Sequence, residues 1–124
     1  ANPDHVEHFQ NFICRFRPKY AVFQLCGNDI DTKDIVISEV RIIILRFVNI
    51  LKRIARRHSV KIFACQLLFR ENTRHILPSI YNSLVIEANK LLKHELATDS
   101  SVFYWNLKGH NVTSEEKEKD SRKF

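Results

Sequence analysis

The chain has 124 residues, of which 20 are Lys or Arg and 14 are Asp or Glu, so its formal charge is +6. This length predicts one domain, and a hydrophobic content of 44% predicts that it folds. No apolar run approaches the roughly 20 residues of a membrane-spanning helix, and two glycines leave no room for a glycine-rich phosphate loop.

The first two predicted elements are a helix and a strand. Apolar residues at helical spacing predict a helix over residues 4–16, which Pro18 ends. Residues 20–25 form a short run rich in β-forming side chains, which predicts a buried strand. Residues 26–29 have the composition of a turn.

The pattern then repeats twice. Residues 34–57 carry one broad apolar stripe, with cations in the last turn where the helix dipole favours them. Residues 60–69 are almost continuously apolar, as in a strand buried on both faces. After a polar loop, Pro78 suits the first turn of a third helix, and residues 101–107 predict a third strand.

Strands alternating with long helices predict a three-layer α/β domain, with helices on both faces of a parallel sheet of about three strands. The domain covers residues 1–112, and the charge-rich residues 113–124 are expected to be a disordered tail. So few strands leave exposed sheet edges. We therefore expect an incomplete domain that can self-associate through these edges.

Polar loops follow all three predicted strands, at residues 26–29, 70–75 and 106–110. Ligands of open parallel sheets bind at the carboxyl ends of the strands. The topology therefore predicts a functional site where these loops meet.

The loop Gly27-Asn28-Asp29 carries the most specific candidate chemistry. The Asn28 amide offers two N–H donors, which can stabilise an oxyanion when they are held at a strand end. Asp29 can orient the loop by accepting backbone N–H bonds. A simple turn explains the same residues, and the local sequence alone favours the turn.

Residues 20–29 read Tyr-Ala-Val-Phe-Gln-Leu-Cys-Gly-Asn-Asp. This block resembles the Gly-x-Asn-Asp block that follows a strand in the SGNH, or GDSL, hydrolase family. The strand at 60–69 and the residues after it resemble the middle region of the same family; these residues are Arg70, Tyr81, Asn82 and Asn89. The resemblance extends over residues 4 to about 112.

The resemblance implies a flavodoxin-like strand order and a serine esterase acting on small acyl esters. Asn28 would then be the oxyanion-hole side chain, with Asp29 as its structural neighbour. The residues themselves add substrate-edge candidates. Arg70 and Arg74 could bind an anionic group of a substrate there, or equally pair with Glu71 or Glu87, and Asn82 is the third candidate at this edge.

Three departures from the family pattern bear on activity. Cys26 replaces the first glycine of the block, and the chain contains neither a Gly-Asp-Ser nor an Asp-x-x-His sequence. A serine hydrolase needs a nucleophile, a base and oxyanion donors. We therefore expect an SGNH-like domain that is inactive as this chain.

A non-catalytic α/β binding module is the alternative hypothesis. The basic residues 52–61 and the loop at 70–75 could hold an anionic partner such as nucleic acid. A solvated helix face with cations matched to the dipole explains the same charges.

Other chemistry has little support in the sequence. His5 and His8 are spaced as a metal pair, but no further Cys or Asp is placed to complete the site, so we expect no metal, and no cofactor motif is present. The three cysteines lie in apolar contexts and predict buried free thiols. With no visible signal segment, this favours an intracellular location.

Overall fold

The computed structural model describes residues 3–25 and 27–106. In chain order the elements are helix α1 (Pro3–Phe16), strand β1 (Tyr20–Gln24), a 3-10 helix (Gly27–Asp29), helix α2 (Ile37–His58), strand β2 (Lys61–Cys65), helix α3 (Pro78–Leu96) and strand β3 (Val102–Trp105). The predicted tail at 113–124, the domain boundary at 112 and most of the loop at 106–110 lie outside the described residues.

The three strands form one parallel sheet in the order β1-β2-β3. Tyr20 lies opposite Lys61, and Ile62 lies opposite Val102. Helix α2 connects β1 to β2, and α3 connects β2 to β3, because parallel neighbours need a long crossover. The structure therefore confirms the predicted α/β class, with a parallel three-stranded sheet and flanking helices.

The described helices share one core with one face of the sheet, which contributes Ala21, Ile62, Ala64 and Val102. The Phe23 ring centroid lies 4.5 Å from that of Phe9 on α1 and 5.2 Å from that of Phe47 on α2. Right-handed crossovers that step the same way along a sheet place their helices on the same face. The described part of the chain therefore has one helical layer, whereas the sequence predicted helices on both faces.

The opposite face of the sheet carries large apolar side chains that alternate with the buried ones; they are Tyr20, Val22, Phe63, Phe103 and Trp105. We call these five residues the open sheet face. Tyr20 is 56%, Val22 55% and Trp105 44% exposed. Within residues 3–25 and 27–106, no helix is long and apolar enough to cross a membrane.

Element boundaries differ from the predicted ones for local reasons. Helix α2 starts at Ile37, because Asp34 has a left-handed φ of 60° and Val36 is extended. It ends at His58, because the next residue, Ser59, also has a left-handed φ, of 52°. Strand β2 stops at Cys65, although the apolar run continues, because α3 side chains bind the backbone beyond it.

Two of the cysteines are described, and both are free thiols. Cys65 is buried, as predicted, and burial raises the pKa of its thiol. The prediction of a buried thiol is wrong for Cys14, which is exposed on α1. Helix α1 has more apolar residues than its packed side can bury. Phe12 and Phe16 are exposed as well.

Candidate functional site

The loops after β1 and β2 meet at the carboxyl edge of the sheet, as the topology predicts. They border a cavity of about 460 Å³. Its lining residues are Gln24, Leu25, Gly27, Leu68, Phe69, Arg70 and Tyr81. The cavity therefore combines aliphatic and aromatic walls with one guanidinium group.

Gly27 is required by a close approach of α3. A Cβ atom at this position would overlap the Tyr81 hydroxyl and lie 3.3 Å from Nη2 of Arg70. Tyr81 is fully buried, so it has little room to retreat. The absence of a side chain at residue 27 thus lets the loop pack against both Tyr81 and Arg70.

Arg70 is the centre of the site. Its Nη2 donates to Oδ1 of Asn28 at 3.2 Å, and its guanidinium lies 5.1 Å from the Tyr81 ring centroid, within cation–π range. Its Nη1 lies 3.9 Å from Oδ2 of Asp31. Three contacts from three directions hold this side chain at the cavity wall.

The contact with Arg70 also fixes how the Asn28 amide is turned. A guanidinium can only donate hydrogen bonds, so it faces the amide oxygen of Asn28. The Asn28 Nδ2 group therefore points away from Arg70, and the residue is exposed. Asp29 follows in the same 3-10 helix and is half-buried.

Asp31 is the site residue that the sequence analysis missed. It is 3% exposed and accepts backbone N–H bonds from Arg74 at 2.8 Å, His75 at 2.9 Å and Ile76 at 3.3 Å. These bonds, the one from Arg74 above all, lower the pKa of the Asp31 carboxyl, although burial acts in the opposite direction. A second acidic residue just after Asp29 was the available signal.

The structure gives Arg74 and Asn82 supporting positions. Arg74 binds Asp31 through its backbone N–H, and its side chain is exposed. Asn82 accepts from the Arg70 N–H at 2.9 Å and donates to the Arg70 carbonyl at 3.0 Å. Asn82 therefore positions the backbone of Arg70, and direct contact of Arg74 or Asn82 with a substrate stays a prediction.

Asn89 repeats this arrangement two helical turns further along α3. Its side chain accepts from the Leu67 N–H at 2.7 Å and donates to the Leu67 carbonyl at 2.9 Å. Both residues are buried. The two asparagines together bind the backbone that leads from β2 into the site.

In the described part of the chain, no side chain at this cavity could act as the nucleophile of a serine-type hydrolase. Within residues 3–25 and 27–106, no Ser, Thr, Cys or His side chain lines the cavity. Ser83 on α3 donates its hydroxyl to the Ser79 carbonyl at 2.9 Å. Among the described residues no group of His, Cys, Asp or Glu side chains is placed to hold a metal ion.

The basic end of α2 is partly neutralised. Asp99 lies 3.8 Å from Nζ of Lys52 and 3.3 Å from Nη2 of Arg56. Burial of Asp99 acts to raise its pKa, but backbone N–H bonds from Ser101 and Val102, together with the two cations, outweigh it and lower the pKa. The charge left over on this surface is therefore smaller than the sequence alone indicates.

Comparison with known proteins found no match for this chain among protein-family models, curated proteins or solved structures. The likeness to the SGNH hydrolases therefore rests on the residues of this chain alone. The geometry around Arg70 has to be interpreted from its own chemistry.

Proposed function

We propose that the carboxyl edge binds a small acyl ester, in a domain of the SGNH type that does not cleave it as this chain. The observation that carries the proposal is the Arg70–Asn28 hydrogen bond of 3.2 Å at the wall of the cavity. It turns the Asn28 N–H donors away from Arg70, and a carbonyl oxygen needs such donors.

The cavity wall supports an acyl ligand. Leu25, Leu68 and Phe69 supply apolar surface for an alkyl chain, while Arg70 supplies a cation at one end. Sites of this kind combine apolar walls with a few polar groups that fix the orientation of the ligand. An acyl ester matches both features, since its carbonyl oxygen can bind at Asn28 and its alkyl chain can lie along the leucines.

We expect binding without hydrolysis, because the sequence lacks two catalytic blocks of the serine hydrolases that it resembles. The chain has no Gly-Asp-Ser block and no Asp-x-x-His block. Oxyanion donors and binding alone do not supply the attacking oxygen or remove its proton. The proposed activity of this chain is therefore capture of an acyl ester.

Binding of methyl octanoate, followed by ¹H–¹⁵N NMR, tests the proposal. We expect shifts at Gly27, Asn28 and Arg70. Asn28→Asp keeps an oxygen toward Arg70 but removes the N–H donors, and it should weaken binding about tenfold. Asn72→Ala, in the exposed part of the loop after β2, is the matched control.

The same protein incubated with 4-nitrophenyl butyrate should release no nitrophenol above the buffer rate. Nitrophenol release that is abolished in Asn28→Asp would show that a nucleophile is present after all. Equal binding by Asn28→Asp and the wild type would refute the acyl site itself.

The alternative function, an anionic partner held by the basic end of α2, has weaker support. Lys52 and Arg56 already face Asp99, although Arg53 and Arg57 are exposed. Alanine at Arg53 and Arg57 should reduce salt-sensitive binding of an anion only if this surface is used.

A further inference from the structure

The open sheet face is a continuous aromatic surface. The Phe63 ring lies at its centre, with centroid distances of 6.3 Å to Tyr20, 5.4 Å to Phe103 and 6.1 Å to Trp105. Tyr20 and Trp105 are about half exposed. Aromatic rings, two of them about half exposed, are thus spread across all three strands.

The two faces of the sheet differ in chemistry. The face under the helices carries aliphatic and small residues, among them Ala21, Ile62 and Val102. Strands of a parallel sheet that are covered on both faces are rich in Val, Ile and Leu. The open sheet face has four aromatic residues and one valine, a composition that differs from the usual packing surface for a helix.

In the three described strands, the charge beside the open sheet face has one sign. Lys61 precedes buried Ile62, so it projects from this face, where it lies opposite Tyr20 and is exposed. The three strands, YAVFQ, KIFAC and VFYW, contain no Asp or Glu. An aromatic surface flanked by a cation is complementary to a ligand that has both aromatic rings and negative charge.

A second copy of this chain is a poor occupant. Three strands of about five residues present on the order of 250 Å². A stable protein interface buries roughly 800 Å² on each partner. The face is large enough for two or three stacked bases, which is the number that a four-stranded aromatic sheet accommodates in known RNA-binding modules.

We propose that the open sheet face binds single-stranded nucleic acid. Bases stack on Tyr20, Phe103 and Trp105, and Lys61 contacts a phosphate. Stacking on aromatic side chains is tolerant of sequence, because every base has a π face. This surface shares no lining residue with the acyl cavity, so the inference does not depend on the proposed function.

Trp105 is the only tryptophan of the chain and lies on the open sheet face, so its fluorescence reports directly on binding. The full chain is titrated with oligouridylate and with oligothymidylate of about twelve nucleotides. We expect saturable quenching. Quenching by one oligonucleotide alone identifies RNA or DNA as the ligand, and quenching by both shows that the face accepts either. A duplex of the same length should quench much less.

Two matched pairs of variants test the surface. Tyr20→Ala should weaken binding about tenfold, while Phe16→Ala, which removes an exposed aromatic ring from α1, should have no effect. Lys61→Ala should lower the slope of log affinity against log salt by about 0.7. Lys33→Ala, at an exposed position before α2, should leave the slope unchanged.

Circular dichroism shows whether each variant is folded. Trp105→Phe retains an aromatic ring and should therefore retain binding, which a fluorescein-labelled oligonucleotide measures in the absence of the tryptophan. The proposal is overturned if neither oligonucleotide quenches Trp105 at low salt. It is also overturned if Phe16→Ala weakens binding as much as Tyr20→Ala. Concentration-dependent quenching without nucleic acid, accompanied by dimers in sedimentation, would assign the face to a second copy instead.

Discussion

The Asn89 side chain binds both backbone polar groups of Leu67, at 2.7 Å to the N–H and 2.9 Å to the carbonyl. The pair is buried beneath the start of the segment that carries Arg70. An amide on α3 thereby continues the hydrogen bonding of β2 after the strand itself has ended. These two hydrogen bonds hold the backbone at Leu67, three residues before Arg70.

Asn89→Ala should lower the free energy of unfolding by about 3 kcal/mol, because two buried backbone groups lose their partners. Urea unfolding measures the change. Asn82→Ala is the matched control. Asn82 makes the same pair of hydrogen bonds to the Arg70 backbone, but this pair is only partly buried. Water can replace it, so the free energy of unfolding should fall by only about 1 kcal/mol. Equal decreases in the free energy of unfolding for the two variants would show that burial does not determine how much these hydrogen bonds stabilise the fold.

Gly27→Ala should destabilise the protein by about 1–3 kcal/mol, because the new methyl group overlaps the Tyr81 hydroxyl. Tyr81→Phe removes that hydroxyl and should recover part of the loss. A double-mutant cycle measures the coupling between the two positions. Strictly additive effects would mean that the loop avoids Tyr81 by moving as a whole.

Acid should weaken the fold partly through Asp31. Its pKa is lowered in the folded protein from an ordinary value of 3.8. Its ionised form therefore stabilises the fold above that value, and this contribution is lost as the pH falls through the folded pKa. In urea unfolding between about pH 5 and pH 2, Asp31→Asn should lose less stability than the wild type. Asp34→Asn, at an exposed position, should follow the wild type.

Ser59→Gly should stabilise the protein by about 1 kcal/mol, because a left-handed φ of 52° strains any residue with a Cβ. Ser79→Gly, in the first turn of α3, should instead cost about 0.5 kcal/mol. Thermal unfolding of the two variants gives opposite shifts in Tm if the argument holds. A lower Tm for Ser59→Gly would mean that the serine makes a compensating interaction.

The α/β order could be predicted because apolar periodicity is a local property of the sequence. The stripe of α2, with Ile44, Phe47 and Leu51, is buried as predicted. The loop at residues 27–29 lies next to Arg70 because parallel strands end at one edge. These features need only the pattern and the rules of chain topology.

Other features depend on contacts between distant parts of the chain. Asp31 binds backbone groups more than forty residues away, and nothing in its local sequence indicates those partners. The open sheet face was missed for a related reason. An apolar run such as the one around Phe63 shows that a strand is apolar on both sides, but not which side a helix covers.

The central place of β2 has a consequence for how the molecule opens. Within residues 3–25 and 27–106, every backbone ladder of the sheet includes β2, since β1 and β3 each pair with β2 and not with each other. Alternate residues of β2 bond to opposite neighbours. The Lys61 N–H donates to the Lys19 carbonyl before β1, whereas the Ile62 N–H donates to the Ser101 carbonyl before β3. Detachment of β3 alone should therefore let the amide hydrogens of Ile62 and Ala64 exchange with solvent, while that of Phe63 stays protected until β1 leaves. The amide hydrogens of β2 should thus exchange as two alternating sets.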